Sequence, residues 1–320
     1  MKKFVFTILL LTVCSVHAQT ADKETLKKIS QDAVSSYQKQ KYDDAVKFGQ
    51  QAVDLSLKIY GAEHLETAVA YTNLGVFYHE KKKRKESIES LQKAVNIYQK
   101  HSESESKKLI KAYETLAFSQ FADNKNDEAE ANYLKAIEIA ETKFGKESKE
   151  SFSPTLNLAN FYARDKKFEK ADEFYLKGYA VAIKNFEKEG KEIDQIEDLR
   201  SCLVTGRNYT AENYKAFREA REKLFGRKTL EQAGILNGKA KSLPKPAYPS
   251  EARMQRLSGT VSVKVKIDEQ GNVTEARAIC GHPILGKASE DSARGAKFEP
   301  TMIDGKPTKV SGIIVYNFVP

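Results

Sequence analysis

The sequence predicts an α-helical repeat solenoid followed by a small α+β domain, an antiparallel sheet with two helices, and three observations carry that prediction. Small residues recur every 42 positions: Ala45, Ser87, Ala129 and Ala171 form one row, and Ala52, Ala94, Ala136 and Gly178 a second. Leu74-Gly75, Leu116-Ala117 and Leu158-Ala159 keep the same interval, so the rows mark a tandem array whose units bury their apolar faces against one another. After Phe225 this periodicity stops, and Pro244, Pro246 and Pro249 exclude a helix there. Finally, Val261, Val263, Val265 and Ile267 alternate with Ser262, Lys264 and Lys266, the pattern of a half-buried strand.

From the N-terminus, Lys2 and Lys3 precede an apolar run from Phe4 to Val13 that closes on Val16-His17-Ala18. This reads as a secretory signal over residues 1–18, cleaved before Gln19, because the apolar run is shorter than the roughly 20 residues a membrane span needs. A rival reading takes Leu11-Thr12-Val13-Cys14 as a lipoprotein signal; membrane association follows only if Cys14 is acylated or the signal is retained. The expected compartment is therefore the periplasm, with the lipoprotein or inner-membrane form as the alternative. Cys202 and Cys280, one in each half of the remaining chain, are expected to be isolated thiols.

Of the 320 residues, 40% are hydrophobic and 30% charged, enough for two cores. The net charge is +9, but the lysines are interleaved with glutamates, which describes solvated helix faces and argues against a nucleic-acid partner. The densest run, Lys81-Lys82-Lys83-Arg84-Lys85, falls at an expected exposed turn.

Each repeat unit holds two amphipathic helices. Tyr71, Leu74, Gly75 and Tyr78 line one, Leu91, Ala94, Val95 and Tyr98 the next, and a polar turn joins them at Glu80–Lys85 or Asp123–Asp127. Small residues stand where helices approach closely, and Gly61 and Gly145 mark helix ends between units. The last unit, from about Ile193 to Phe225, is degenerate, with Ala220 keeping step.

With "YTNLGVFY" at 71–78 and "TLNLANFY" at 155–162, the array resembles the tetratricopeptide repeat in its kinesin-light-chain-like form. The resemblance implies a concave groove lined by the first helix of each unit. Its positions here are Asn73, Val76 and His79; Lys111, Thr115 and Phe118; Asn157, Asn160 and Arg164. Asparagine suits such a groove because its amide both donates to and accepts from a peptide backbone.

In the terminal module, Gly234 to Pro249 is extended or turning. A strand from Thr260, turn chemistry at Asp268–Asn272 and a returning strand from Val273 to Ile279 make a hairpin. Leu285, Ala288, Ser292 and Ala296 then fall at helical spacing, and Val310–Val319 reads as a closing strand, with the helices on one face of the sheet. The words "PKPAYPSEA", "GTVSVKVKIDEQGNV", "GHPIL", "AKFEPT", "GKP" and "GIIVYNF", in that order, resemble the C-terminal domain of TonB, the periplasmic energy transducer. That resemblance implies a free sheet edge near the last strand, where an extended segment of an outer-membrane receptor pairs by strand addition. The positions it implies are Gly312, Ile313, Val315, Tyr316 and Phe318, with Tyr248 and Pro249 buttressing the lead-in.

The expected division is 1–18 signal, 19–226 repeat domain, 227–233 linker and 234–320 TonB-like domain. No catalytic motif, metal-ligand spacing or phosphate loop is present, so no enzyme activity, metal or cofactor is expected. His282 sits in a Gly-His-Pro turn and reads as structural. The expected function is a periplasmic protein-interaction adaptor whose partners include TonB-dependent outer-membrane receptors and a second periplasmic protein. Two alternatives stand beside it: a membrane-anchored transducer and an envelope-binding scaffold.

Overall fold

A computed structural model describes residues 2–187, 190–205, 232–235, 240–303 and 305–319. The chain packs as two compact units, Met1–Lys167 and Phe168–Pro320. The last part of the degenerate repeat, including Ala220, and most of the expected linker lie outside the described residues.

The first unit is helical: α1 (Lys2–Gln38), α2 (Tyr42–Tyr60), α3 (Leu65–Glu80), α4 (Arg84–Lys100), α5 (Ser106–Ala122), α6 (Asn126–Phe144) and α7 (Lys149–Arg164). Helix α1 takes in the stretch read as a signal, and the side chains of residues 1–19 lie outside the described ones. Among the described residues no helix is long and apolar enough to cross a membrane.

The rows read from the sequence are the packing seams. Ala45, Ser87 and Ala129 are fully buried, as are Leu116, Ala117, Leu158 and Ala159. Gly75 explains why the rows are small: a Cβ there would stand 2.6 Å from Leu91 Cγ and 3.2 Å from the Ser87 carbonyl oxygen. The Ser87 hydroxyl donates to the Gly75 carbonyl at 2.7 Å, which lets a polar residue occupy this seam. Helices α2 and α6 end on Gly61 and Gly145, with φ of 87° and 99°. The turns within the units carry a further signature: Gln40, Lys82, Asn124 and Lys166 all adopt φ of 59–60°, again at the repeat interval. Asparagine is favoured in that left-handed region, whereas lysine and glutamine are not.

The second unit begins with α8 (Phe168–Asn185) and α9 (Lys191–Thr205) and continues into the terminal module. Its further elements are β1 (Gln232–Ile235), β2 (Ala240–Ser242), α10 (Ser250–Met254), β3 (Gly259–Ile267), β4 (Val273–Cys280) and α11 (Pro283–Arg294), then β5 (Lys297–Phe298), β6 (Met302–Ile303), β7 (Lys306–Pro307) and β8 (Val310–Phe318). The main sheet has the order β1-β8-β3-β4. Strands β3 and β8 pair antiparallel without a shift from Gly259↔Phe318 to Ile267↔Val310, and β3 and β4 form the expected hairpin. Val261, Val263, Val265, Ile267, Ile314, Tyr316 and Phe318 pack with Leu285, Ala293 and Phe298 into one core.

Two expectations are corrected here. The opposite face of the sheet, expected to meet solvent, carries α9. Ser262 donates to Thr205 at 2.7 Å, and Lys264 Nζ stands 3.4 Å from each of Asp194, Glu197 and Asp198. Arg277 donates to Asp198 at 2.6 Å. Burial pushes the Lys264 pKa down, but the three carboxylates outweigh it and leave the ammonium above its ordinary value. Secondly, Cys202 and Cys280 are not isolated thiols. They form a disulfide with Cα atoms 5.6 Å apart, because α9 lies against the end of β4.

Candidate interaction surfaces

The terminal sheet has two outer strands, and their backbones are treated differently. On β4, the Ala278 N–H donates to Glu290 Oε1 at 2.8 Å, and the Ala276 carbonyl accepts from Arg294 at 3.2 Å. These two backbone groups lie on the same edge, and the carboxylate and guanidinium sit one helical turn apart on α11. Side chains thus close that edge against another strand, a common protection for an outer strand.

On the other side the expectation of a free border at β8 is corrected: β1 lies along it in parallel, with Gln232 opposite Ser311 and Ile235 opposite Ile313. The cause is the one that made the edge a docking candidate, since outward N–H and C=O groups gain by pairing with any backbone within reach. Strand alternation turns Ser311, Ile313, Val315 and Asn317 to this edge and the residues between them to β3.

The side chains named for the border fall into two groups. Gly312, Tyr316 and Phe318 are buried, while Ile313 and Val315 are half-buried on the face away from the core. The Tyr316 hydroxyl has no hydrogen-bond partner among the described residues, and burial raises its pKa to about 12. Tyr248 packs 5.9 Å from the Phe318 ring and donates from its hydroxyl to the Leu257 carbonyl, with Pro249 capping α10 beside it.

The repeat positions are distributed along α3, α5 and α7. His79 lies against Phe118, ring centroids 4.7 Å apart, and Phe118 remains 42% exposed. His79 Nδ1 is 3.2 Å from the Ser119 hydroxyl, which lies 3.1 Å from that of Ser87, and burial lowers the imidazole pKa. Asn73 lines a cleft of about 620 Å³ with Leu26, Lys27, Val69 and Phe77. Thr115 donates back to the Lys111 carbonyl at 2.8 Å. Val76 and Asn160 are half-buried and Arg164 is exposed.

Glu114 was missed by sequence reasoning. Only 4% exposed, its carboxylate accepts from Asn157 at 2.6 Å and Ser153 at 2.8 Å, and Lys111 stands 3.9 Å away. Its carboxylate also adds to burial in raising the Tyr133 pKa. Its signal in the sequence is weak, an acidic residue beside Tyr113 in an otherwise apolar stretch. Asn157 is therefore occupied by a structural acceptor. Asn157→Ala should cost about 1–2 kcal/mol, read as a shift in the urea midpoint, because a buried carboxylate loses a donor.

Two family patterns match this geometry. Residues 244–320 match the family described as the Gram-negative bacterial TonB protein C-terminal, and residues 33–100 match the tetratricopeptide repeat. No curated protein matches. Among solved structures, the nearly identical TPR-like repeats of a putative kinesin light chain from Podosopora anserina share 20% identity at a TM-score of 0.51, covering 62% of this chain and 96% of that one. BtubC (BKLC) from P. vanneervenii shares 16% identity at 0.53, covering 66% and 84%. The apo form of RapI shares 13% at 0.51, covering 62% and 69%. These likenesses establish the solenoid fold. Both matched families are interaction domains without catalytic function, which gives the chain a protein-interaction role of TonB type.

Proposed function

We propose that this chain is an adaptor of the bacterial envelope, in which β8 takes an extended peptide segment by strand addition and the repeats hold a second protein. The observation that carries this reading is the contrast between the outer side of β4 and the side of β8 that faces away from β3. Strand β4 is closed by Glu290 and Arg294, whereas β8 accepts an added strand, β1, through its backbone. An edge of that kind offers affinity through main-chain hydrogen bonds and selectivity through alternate side chains. On this reading the incoming segment takes the side of β8 that β1 lines at Ile313. Gly312, Tyr316 and Phe318 shape the strand from the core side, and Tyr248 and Pro249 support it. The exposed Phe118 ring beside His79 is the aromatic anchor of the second surface, in line with the weight aromatic residues carry at interfaces.

The test is a titration of the full chain with synthetic peptides copied from the N-termini of outer-membrane receptors. Binding is expected for at least one of them, weakened tenfold or more when alternate backbone nitrogens are methylated. Binding indifferent to N-methylation, or no binding by any peptide, overturns the reading.

A further inference from the structure

Glu114 is served by hydrogen bonds on one oxygen only. The side chain is buried on α5 against α7, where Oε1 accepts from both Ser153 and Asn157. Among the described residues no donor reaches Oε2, and the nearest cation is Lys111 Nζ at 3.9 Å, beyond hydrogen-bond distance. Lys111 is a poor permanent counter-charge, because its side chain is 69% exposed and its ammonium strongly hydrated. A carboxylate withdrawn from water is costly unless it is well hydrogen-bonded, so this one calls for a further donor, best a cationic one. An aromatic ring stands beside it. Phe118 is one helical turn further along the same face of α5, and helical side chains lean toward the N-terminus, so its ring reaches toward the turn that carries Glu114. The ring is 42% exposed although it packs on His79. Burial lowers the His79 pKa, so that imidazole is neutral at pH 7 and adds no positive charge.

We propose that Glu114 and Phe118 receive an arginine side chain of the protein held by the repeats, its guanidinium donating to Oε2 and lying on the ring. The inference rests on the second-surface reading above and gives that partner a chemistry. A carboxylate and an aromatic face within one turn of each other are the two groups that recognise an organic cation. Arginine is preferred to lysine because its planar fork fits both at once, whereas an ammonium is a compact point charge. The competitor is Lys111, which the incoming group displaces into solvent. Arg164 does not compete, since it lies two turns beyond Asn157 on α7, about 10 Å along the axis.

The test titrates the full chain with the acetylated, amidated tripeptides Gly-Arg-Gly, Gly-Lys-Gly and Gly-Gln-Gly, followed through the NMR signals of the Phe118 ring and the Asn157 side-chain amide. The arginine peptide should shift both signals saturably and bind about threefold or more tightly than the lysine peptide, and the glutamine peptide should leave them unmoved. Glu114→Gln keeps a carbonyl acceptor for Ser153 and Asn157 but removes the charge, so it should weaken the arginine peptide about tenfold or more. A native chain that shows no saturable shift, or that takes the arginine and glutamine peptides alike, overturns the proposal, as does undiminished binding by Glu114→Gln. Should that variant fail to fold, Phe118→Leu decides, because the exposed ring can be lost without unfolding the helix; unaltered affinity for the arginine peptide then overturns the proposal. The adaptor reading is judged by the receptor-peptide titration at β8, so either can fail without the other.

Discussion

Replacing Cys202 and Cys280 together by serine should lower the stability of the second unit by about 4 kcal/mol, a value at the upper end for a disulfide because the bridge closes a long loop. The two cysteines are 78 residues apart, and loop-closure entropy removed from the unfolded chain grows with the logarithm of that span. Contacts between α9 and the sheet remain in the variant, among them Lys264 with its three carboxylates and Ser262 with Thr205, so the loss is that of the bridge. Urea unfolding followed by circular dichroism checks this. The native chain should lose the same stability on adding dithiothreitol, and the double variant should be indifferent to it. A native midpoint unchanged by reductant would mean that the bridge contributes nothing to folding.

Gly271→Ala should be nearly as costly, about 3–4 kcal/mol, through a different mechanism. Gly271 closes the β3–β4 hairpin at φ of 84°, and its carbonyl accepts from the Phe298 N–H at 2.9 Å. A Cβ at this position would lie 2.0 Å from the Phe298 carbonyl oxygen, so β5 would have to move off the hairpin turn and withdraw Phe298 from the core. Asparagine separates the two contributions. It tolerates positive φ, so Gly271→Asn would recover most of the loss if dihedral strain were the cause. Because the clash dominates, Gly271→Asn should melt as low as Gly271→Ala, with both about 6–12 °C below the native chain.

What the sequence disclosed follows from where the information is local. The interval of 42 and the alternation from Val261 to Ile267 each reflect one face meeting one neighbour, and both became buried seams. The hairpin turn was readable because Asp268, Gly271 and Asn272 satisfy each other within five residues. Strand β1 was not readable. Gln232-Ala233-Gly234-Ile235 has neither alternation nor β-branched enrichment, and it is a strand only because β8 lies beside it. The α9 contact left a fainter trace. Asp194, Asp198 and Cys202 recur at four-residue steps on one helix face, matching Lys264, Arg277 and Cys280 across the sheet. Each half of that match is ordinary alone, since a charged helix face usually meets water. Only tertiary contact makes the pair meaningful. The same limit applies to the groove, where Asn157 has the residue type for peptide contact but a buried carboxylate within reach.

The bridge between α9 and β4 has a mechanical consequence. Once the β8–β3 pairing has given way, a pull on the C-terminus reaches Cys280 along the backbone and crosses to Cys202 through the bridge, bypassing the intervening stretch. That stretch would pay out about 260 Å of contour if it unravelled. With the bond intact, the stretch between the two cysteines cannot lengthen under tension; once reduced, it can.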